Sequence, residues 1–175
     1  MIYEPREDSY LLLKYVKKYA FGRVLDIGTG SGVLAEGALK SKKVNYVLAV
    51  DINKEAIKLV KSKGVNSKVS DLFSNVKEKF DTIIFNPPYL PLDSYEDKES
   101  QVSTTGGKKG YEIIERFFKS VKNYLNKNGL ILIVFSSLTN KKKVLEIMKE
   151  KGFKFKLLEK KKISFEELYA YLGSL

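Results

Sequence analysis

The stretch Asp26-Ile27-Gly28-Thr29-Gly30-Ser31-Gly32 decides how this chain folds. It follows a short apolar, β-branched run and precedes residues of helical periodicity, so it reads as a glycine turn joining a strand to a helix. In an open α/β sheet such a turn is where a nucleotide-like cofactor sits, because glycines let the backbone approach the ligand and the helix start offers free N–H groups. A dinucleotide fingerprint would place its third glycine at position 33, where this chain has Val33. The spacing is therefore G-x-G-x-G and departs from the hydride-transfer pattern.

Working outward, short apolar runs alternate with helical segments along the chain, which implies parallel strands covered by crossover helices. A leading helix is expected from Arg6 to Ala20, with strands at Val24 to Ile27, Tyr46 to Asp51, Ser67 to Asp71, Thr82 to Asn86 and Leu130 to Ser136. Helices are expected from Ser31 to Lys40, Asn53 to Ser62, Tyr111 to Asn126 and Asn140 to Lys151, with Asn53 and Thr139 as N-caps and Gly152 as a stop. Phe153 to Glu159 and Phe165 to Leu172 have no helix between them, so they must pair locally as an antiparallel hairpin at the sheet edge. The expectation is an α/β sandwich: one domain over residues 1–175, seven strands, mostly parallel, helices on both faces. Leu90 to Lys109 is the one long irregular segment, and a loop of about twenty residues inside a compact domain is usually functional.

Composition narrows the chemistry. Apolar residues make up 43% and charged residues 30%, a globular balance, and no run approaches the roughly 18 apolar residues of a membrane span. No charged-then-apolar leader opens the sequence, so a cytoplasmic location is expected. With no Cys there is neither a disulfide nor a thiolate zinc site, and with no His every mechanism that needs an imidazole is excluded. The net charge of +11 would favour approach to polyanions, but most of the excess is Lys spread over helix faces and reads as solvated surface.

Acidic residues recur at the ends of successive strands. Asp51, about twenty residues beyond the glycine turn, stands where a carboxylate can accept from both ribose hydroxyls of an adenosine. Asp71 could take the adenine amino group while Leu72 packs on the ring. The most informative residues are Asn86-Pro87-Pro88-Tyr89, at the carboxyl end of the fourth strand and on the same rim as the glycine turn. Two prolines fix the backbone, so that Asn86 Oδ1 and the Pro87 carbonyl can both accept from one NH₂ group. That directs the nitrogen lone pair for in-line displacement, and Tyr89 can sandwich a flat acceptor. A nitrogen held in this way loses its proton to solvent as an alkyl group arrives, so the missing His does no harm.

Taken together, these motifs resemble the Rossmann-like class I methyltransferases, and within them the HemK type, which modify the Gly-Gly-Gln glutamine of translation release factors at N5. Tyr3-Glu4-Pro5-Arg6-Glu7-Asp8-Ser9 is similar to that family's Y-x-P-x-E-D-S/T signature, and Gly106-Gly107-Lys108-Lys109-Gly110 to its GG-x-x-G loop. Thr104 and Thr105 precede Gly106 where the family often has an aromatic residue or Ala. The resemblance runs from Tyr3 to the final hairpin and implies the strand order 3-2-1-4-5-7-6, S-adenosylmethionine as methyl donor and no metal. It implies cofactor contacts from Ser9, Asp26, Gly28, Gly30, Asp51, Asp71, Leu72 and Asn86, and a glutamine amide held by Asn86, Pro87 and Tyr89. The N-terminal helical substrate domain of bacterial members is absent here, as in the short archaeal and eukaryotic branch. That branch works with a small zinc-binding activator subunit, which would form a heterodimer at the third-strand edge, Val65 to Leu72. Nucleic acid would then be met only indirectly, and a membrane not at all.

Three other readings compete. Methylation of adenine or guanine uses the same Asn-Pro-Pro-Tyr device, but base flipping in a duplex calls for a recognition surface that 175 residues leave little room for. Lysine methylation would want a local means of deprotonation. A cofactor-holding scaffold subunit would need no pre-organised amide clamp.

Overall fold

The computed structural model describes residues 2–89 and 105–175. Seven strands form one sheet: β1 (Gly22–Ile27), β2 (Val44–Asp51), β3 (Asn66–Val69), β4 (Phe80–Phe85), β5 (Leu125–Ser136), β6 (Lys154–Ile163) and β7 (Glu166–Ser174). Their order is β3-β2-β1-β4-β5-β7-β6, the order that the family resemblance implies. The pairs β1–β2, β1–β4, β2–β3 and β4–β5 are parallel, whereas β7 runs antiparallel to both β5 and β6. Five α-helices are described: α1 (Glu7–Tyr19), α2 (Val33–Leu39), α3 (Lys54–Ser62), α4 (Glu112–Ser120) and α5 (Lys141–Glu150).

Side chains alternate across the sheet, so each strand feeds two cores. Val24 of β1 and Ala49 of β2 pack beneath α1 and α2 with Leu12, Val16, Leu34 and Ala35. Leu25 and Ile27 of β1 face the opposite layer, where α4 and α5 supply Ile114, Phe117, Val144 and Ile147. That second layer is rich in aromatic residues. Phe117, fully buried, stacks on Phe85 at 4.4 Å between ring centroids, and burial of such a side chain contributes about 2–3 kcal/mol. Asp26 shares the parity of Val24 and so lies under the α1–α2 layer, fully buried beneath the glycine turn.

Local chemistry sets most element boundaries as expected. Asn53 caps α3, accepting from the Glu55 N–H at 2.9 Å, and Gly152 ends α5 at a φ of +76°. Two expectations need correction. The helix expected to reach Asn126 stops at Ser120, is followed by a 3₁₀ turn over Val121–Asn123, and β5 begins already at Leu125. The cause is a register break: Leu125 pairs with Phe80, Asn128 adopts a φ of +65°, and regular pairing resumes at Leu130 opposite Thr82. The α5 cap is Asn140, which accepts from the Lys143 N–H at 3.2 Å, and not Thr139. The Thr139 hydroxyl donates instead to the Tyr89 carbonyl at 2.8 Å and so ties down the segment leaving β4.

The two sheet edges differ. β6 is long and carries exposed Lys154, Lys156, Lys160 and Lys162, charges that discourage pairing with another chain. β3 spans only Asn66–Val69, and beside it runs a groove of mixed character, lined by Tyr46, Leu48 and Val65 together with Lys61, Asn66 and Lys68. Among the described residues, no helix is long and apolar enough to cross a membrane.

Candidate active site

The carboxyl ends of β1, β2 and β4 open into one cavity of about 650 Å³. This is where a parallel α/β sheet exposes strand-end carbonyls and helix-start N–H groups to a ligand. On one side stands the glycine turn. Gly28 has a φ of +67°, and a side chain added there would meet nothing within 4 Å, so it would project into open space. At Gly32, by contrast, a Cβ would come within 2.9 Å of Val60, which requires glycine for close helix packing.

Asp51 stands at the same wall, and both of its oxygens hold backbone. Oδ2 accepts from the Gly30 N–H at 2.9 Å and Oδ1 from the Asn53 N–H at 2.8 Å, which fixes the carboxylate at the edge of the turn while leaving lone pairs for a ligand. Ile52, more than half exposed, and Leu72 form the apolar part of this wall. Asp71 lies two residues past β3 and pairs with Arg116 at 2.8 Å. Leu72 adopts a φ of +49° in a turn held by Ser70, whose hydroxyl donates to the Leu72 carbonyl and accepts from the Asn75 N–H. Nothing in the sequence pattern singled out Ile52 or Arg116.

Asp26 sits behind the wall, and neither it nor Ser9 lines the cavity. Asp26 Oδ2 accepts from the Thr29 hydroxyl at 2.6 Å, which braces the turn from below, while Oδ1 is buried without a hydrogen bond. Burial pushes the Asp26 carboxyl up to about 7, opposed by the Thr29 hydrogen bond and aided by the Asp51 charge. The native state thus binds a proton that the unfolded chain has already released between the ordinary carboxyl range and about pH 7. Stability contributed here is present at low pH and is lost as pH rises through that window. We expect wild type to lose about 2–3 kcal/mol relative to Asp26→Asn between pH 5 and 8, measured by urea unfolding, and parallel curves for the two would refute it.

On the other side of the cavity a second construction centres on Asp8, only 3% exposed at the start of α1. Its carboxylate accepts from Tyr3 OH at 2.8 and 2.9 Å, from the Ser9 N–H at 2.6 Å, from Asn86 Nδ2 at 3.2 Å and from Tyr89 OH at 3.3 Å. Ser9 Oγ also accepts from Asn86 Nδ2, at 3.2 Å. A carboxylate can only accept here, so it dictates which end of the Asn86 amide faces it. Nδ2 is the end held by Asp8 and Ser9, which leaves Oδ1 at the other end of the amide. Asn86 Oδ1 is buried yet has no hydrogen-bond partner, and Asn86, Pro87 and Tyr89 all line the cavity. Burial, reinforced by the Asp8 charge, raises both the Tyr3 and Tyr89 phenols well above their ordinary range, so both stay protonated as donors.

The GG-x-x-G segment supports the same construction from outside. A Cβ on Gly106 would fall 2.2 Å from the Gly110 carbonyl oxygen and 2.7 Å from that of Pro88, so backbone packs directly on backbone there. Thr105 lines the cavity, whereas Leu90 to Thr104 lie outside the described residues. Among the described residues, no group of three or more acidic side chains is placed to hold a metal ion.

The chain was compared with known proteins. The family model for the methyltransferase small domain matches residues 6–163. A protein named as an N5-glutamine methyltransferase in Methanocaldococcus jannaschii is 42% identical over 95% of this chain and 88% of its own length. The methyltransferase HEMK2 of Homo sapiens is 31% identical over 86% of this chain and 79% of its own. Among solved structures, that of the E. cuniculi Mtq2–Trm112 complex, responsible for methylation of the eRF1 translation termination factor, superposes with a TM-score of 0.81 at 30% identity. It covers 98% of this chain and 97% of its own. A methyltransferase from Bacteroides fragilis bound to S-adenosylhomocysteine, 20% identical with a TM-score of 0.67, shares the fold. The glycine turn, the Asn86 amide fixed by Asp8 and these likenesses agree: the chain belongs to the methyltransferase small-domain family and is a HemK-type, S-adenosylmethionine-dependent methyltransferase.

Proposed function

We propose that this methyltransferase modifies the side-chain nitrogen of a glutamine in a protein, and that the protein is a class 1 release factor presenting its Gly-Gly-Gln loop. The observation that carries this reading is the orientation of Asn86, a residue lining the cavity, whose Nδ2 is bound to Asp8 and Ser9 while its buried Oδ1 has no partner. An acceptor locked in that position suits a primary carboxamide, which offers two N–H bonds in a plane. Asn86 Oδ1 takes one and the Pro87 carbonyl takes the other, which turns the nitrogen lone pair toward the glycine turn. Tyr89, fixed by Asp8 through its hydroxyl and by Thr139 through its carbonyl, covers the flat amide. The names of the M. jannaschii relative and of the Mtq2–Trm112 structure support the same acceptor.

Gly28 and Gly30 at the turn, Asp51 beside them and Leu72 on the apolar wall would hold S-adenosylmethionine, with Asp71 near its adenine end. Bound there, that cofactor supplies a methyl group on a positively charged sulfur. Asp26 and Ser9 serve from behind, Asp26 by bracing the turn through Thr29 and Ser9 by fixing Asn86. The chain's own part in the reaction is orientation and exclusion of water, with the amide proton leaving to solvent.

The short edge strand β3 and the groove beside it suit a small activator subunit of the zinc-binding kind, adding a strand to the sheet beyond Val65 to Leu72. The superposition on a chain solved together with Trm112 supports that arrangement. The test is mass spectrometry of the release factor after incubation with this chain and labelled S-adenosylmethionine, with and without the activator subunit. One methyl group on the Gly-Gly-Gln glutamine is expected. No transfer to the factor in either tube, with uptake of label by RNA instead, would move the acceptor to a nucleobase.

A further inference from the structure

Three of the four buried side-chain polar atoms that lack a hydrogen bond among the described residues belong to residues lining the cavity: Asn86 Oδ1, Thr105 Oγ1 and Glu166 Oε2. The amide clamp accounts for Asn86. Glu166 opens β7, directly after the turn that joins it to β6, and that turn is pinned beside the start of α1. Lys161 pairs with Glu7, and Glu159 accepts from Lys14 and from the Tyr15 hydroxyl, each at 2.6 Å.

The contrast within the hairpin is instructive. Glu159 has a cation and a hydroxyl as partners, and Glu167 has Lys160 at 2.8 Å and the Tyr169 hydroxyl at 2.7 Å. Glu166, between them in the same hairpin, keeps one oxygen shut away from water with no donor. A buried carboxylate oxygen in that state is costly, and it is retained where a ligand supplies the donor. Next to it Phe165 is fully exposed at the cavity mouth, an aromatic ring left in water on a turn that would otherwise be polar.

We infer that Glu166 is a positioning residue for the protein substrate: its Oε2 accepts a hydrogen bond from a peptide N–H of the segment that carries the glutamine. The inference rests on the glutamine reading. A loop that delivers a side chain to Asn86 lays its own backbone across the mouth, and each N–H covered there loses water and needs an acceptor. The cofactor side of the cavity lies at the ends of β1 and β2, away from this turn, whereas the Glu166 charge is felt by Tyr3 and Tyr89. A cationic donor is disfavoured because Arg6 already places a guanidinium on the same cavity.

The experiment compares wild type, Glu166→Ala and Glu166→Gln on the intact release factor, with the activator subunit present. Glu166→Ala should raise KM for the protein about 10- to 100-fold, with a smaller effect on kcat and none on S-adenosylmethionine affinity measured by calorimetry. Glu166→Gln, which keeps a carbonyl acceptor, should recover most of the loss. An unchanged KM in Glu166→Ala, with wild type still methylating the glutamine, overturns this inference and leaves the glutamine reading standing. Glu166→Gln as impaired as Glu166→Ala points to a cationic donor, and loss of cofactor affinity points to the other side of the cavity; either overturns it. A wild type that transfers nothing to the glutamine overturns both.

Discussion

Asn86→Ala loses about 10²- to 10³-fold in kcat and stays folded. The expected loss is that of removing one pre-organised hydrogen-bonding group from a water-excluded site, together with the orientation it imposes on the attacking nitrogen. The side chain follows β4 and is held only at its rim, by Asp8 and Ser9, so truncation removes two hydrogen bonds and no core packing. Asp8 keeps Tyr3, Tyr89 and the Ser9 N–H as donors, and the stability cost should be near 1 kcal/mol. Single-turnover transfer and thermal unfolding on the same preparation separate the two effects. A variant that still transfers at more than a tenth of the wild-type rate would mean that the acceptor nitrogen is held elsewhere. Asn86→Asp sharpens the point, because it keeps an oxygen at the acceptor position but sets an anion against Asp8, so it should be both inactive and less stable than the alanine variant.

Asp8→Ala should be nearly as damaging to transfer, although Asp8 need not touch the reacting atoms. Its carboxylate is the shared acceptor for Tyr3, Tyr89, Asn86 and the Ser9 backbone, and nearly all of it is buried. Truncation leaves several buried donors without a partner, at about 1–3 kcal/mol for each one that water cannot reach. It also frees the Asn86 amide to turn over, so that Nδ2 can face the cavity in place of Oδ1. We expect a loss of about 2–4 kcal/mol in stability and about 10²-fold in kcat, with cofactor affinity within a few fold of wild type. Equal losses in cofactor affinity and kcat would mean that the Asp8 cluster shapes the whole cavity and not the amide clamp alone.

The parts of this site that could be read from sequence are those written in local pattern. The glycine turn, Asp51 and the Asn-Pro-Pro-Tyr segment each sit at a strand end, and periodicity locates strand ends well. The parallel pairing and the final hairpin followed from the same alternation, because a strand returning parallel needs a crossover helix and the final hairpin lacks one, whereas the strand order came from the family resemblance. What periodicity does not carry is which side chains meet. Asp8 was visible only as one position of the leading signature, and its use as the acceptor for four residues depends on how α1 docks on the sheet near the end of β4. Glu166 gave no signal at all, since an acid after a hairpin turn is ordinary and its missing donor exists only in three dimensions. Thr139 was assigned to capping because hydroxyls commonly cap helices, but the neighbouring Asn140 tolerates the left-handed backbone and took that role, releasing Thr139 to hold Tyr89. The register break near Asn128 failed to show because it depends on pairing with β4, not on the run of residues itself.

The bond between Asp8 and Asn86 spans 78 positions of chain. Closing so long a loop carries an entropic cost that is recovered only once the first helix rests on a sheet containing both β1 and β4. A nascent or partly opened chain can therefore build its glycine turn from neighbouring residues and still fail to aim Asn86. Turnover then counts finished molecules. Thermal inactivation should run ahead of loss of the sheet whenever the N-terminal helix is the first piece to lift.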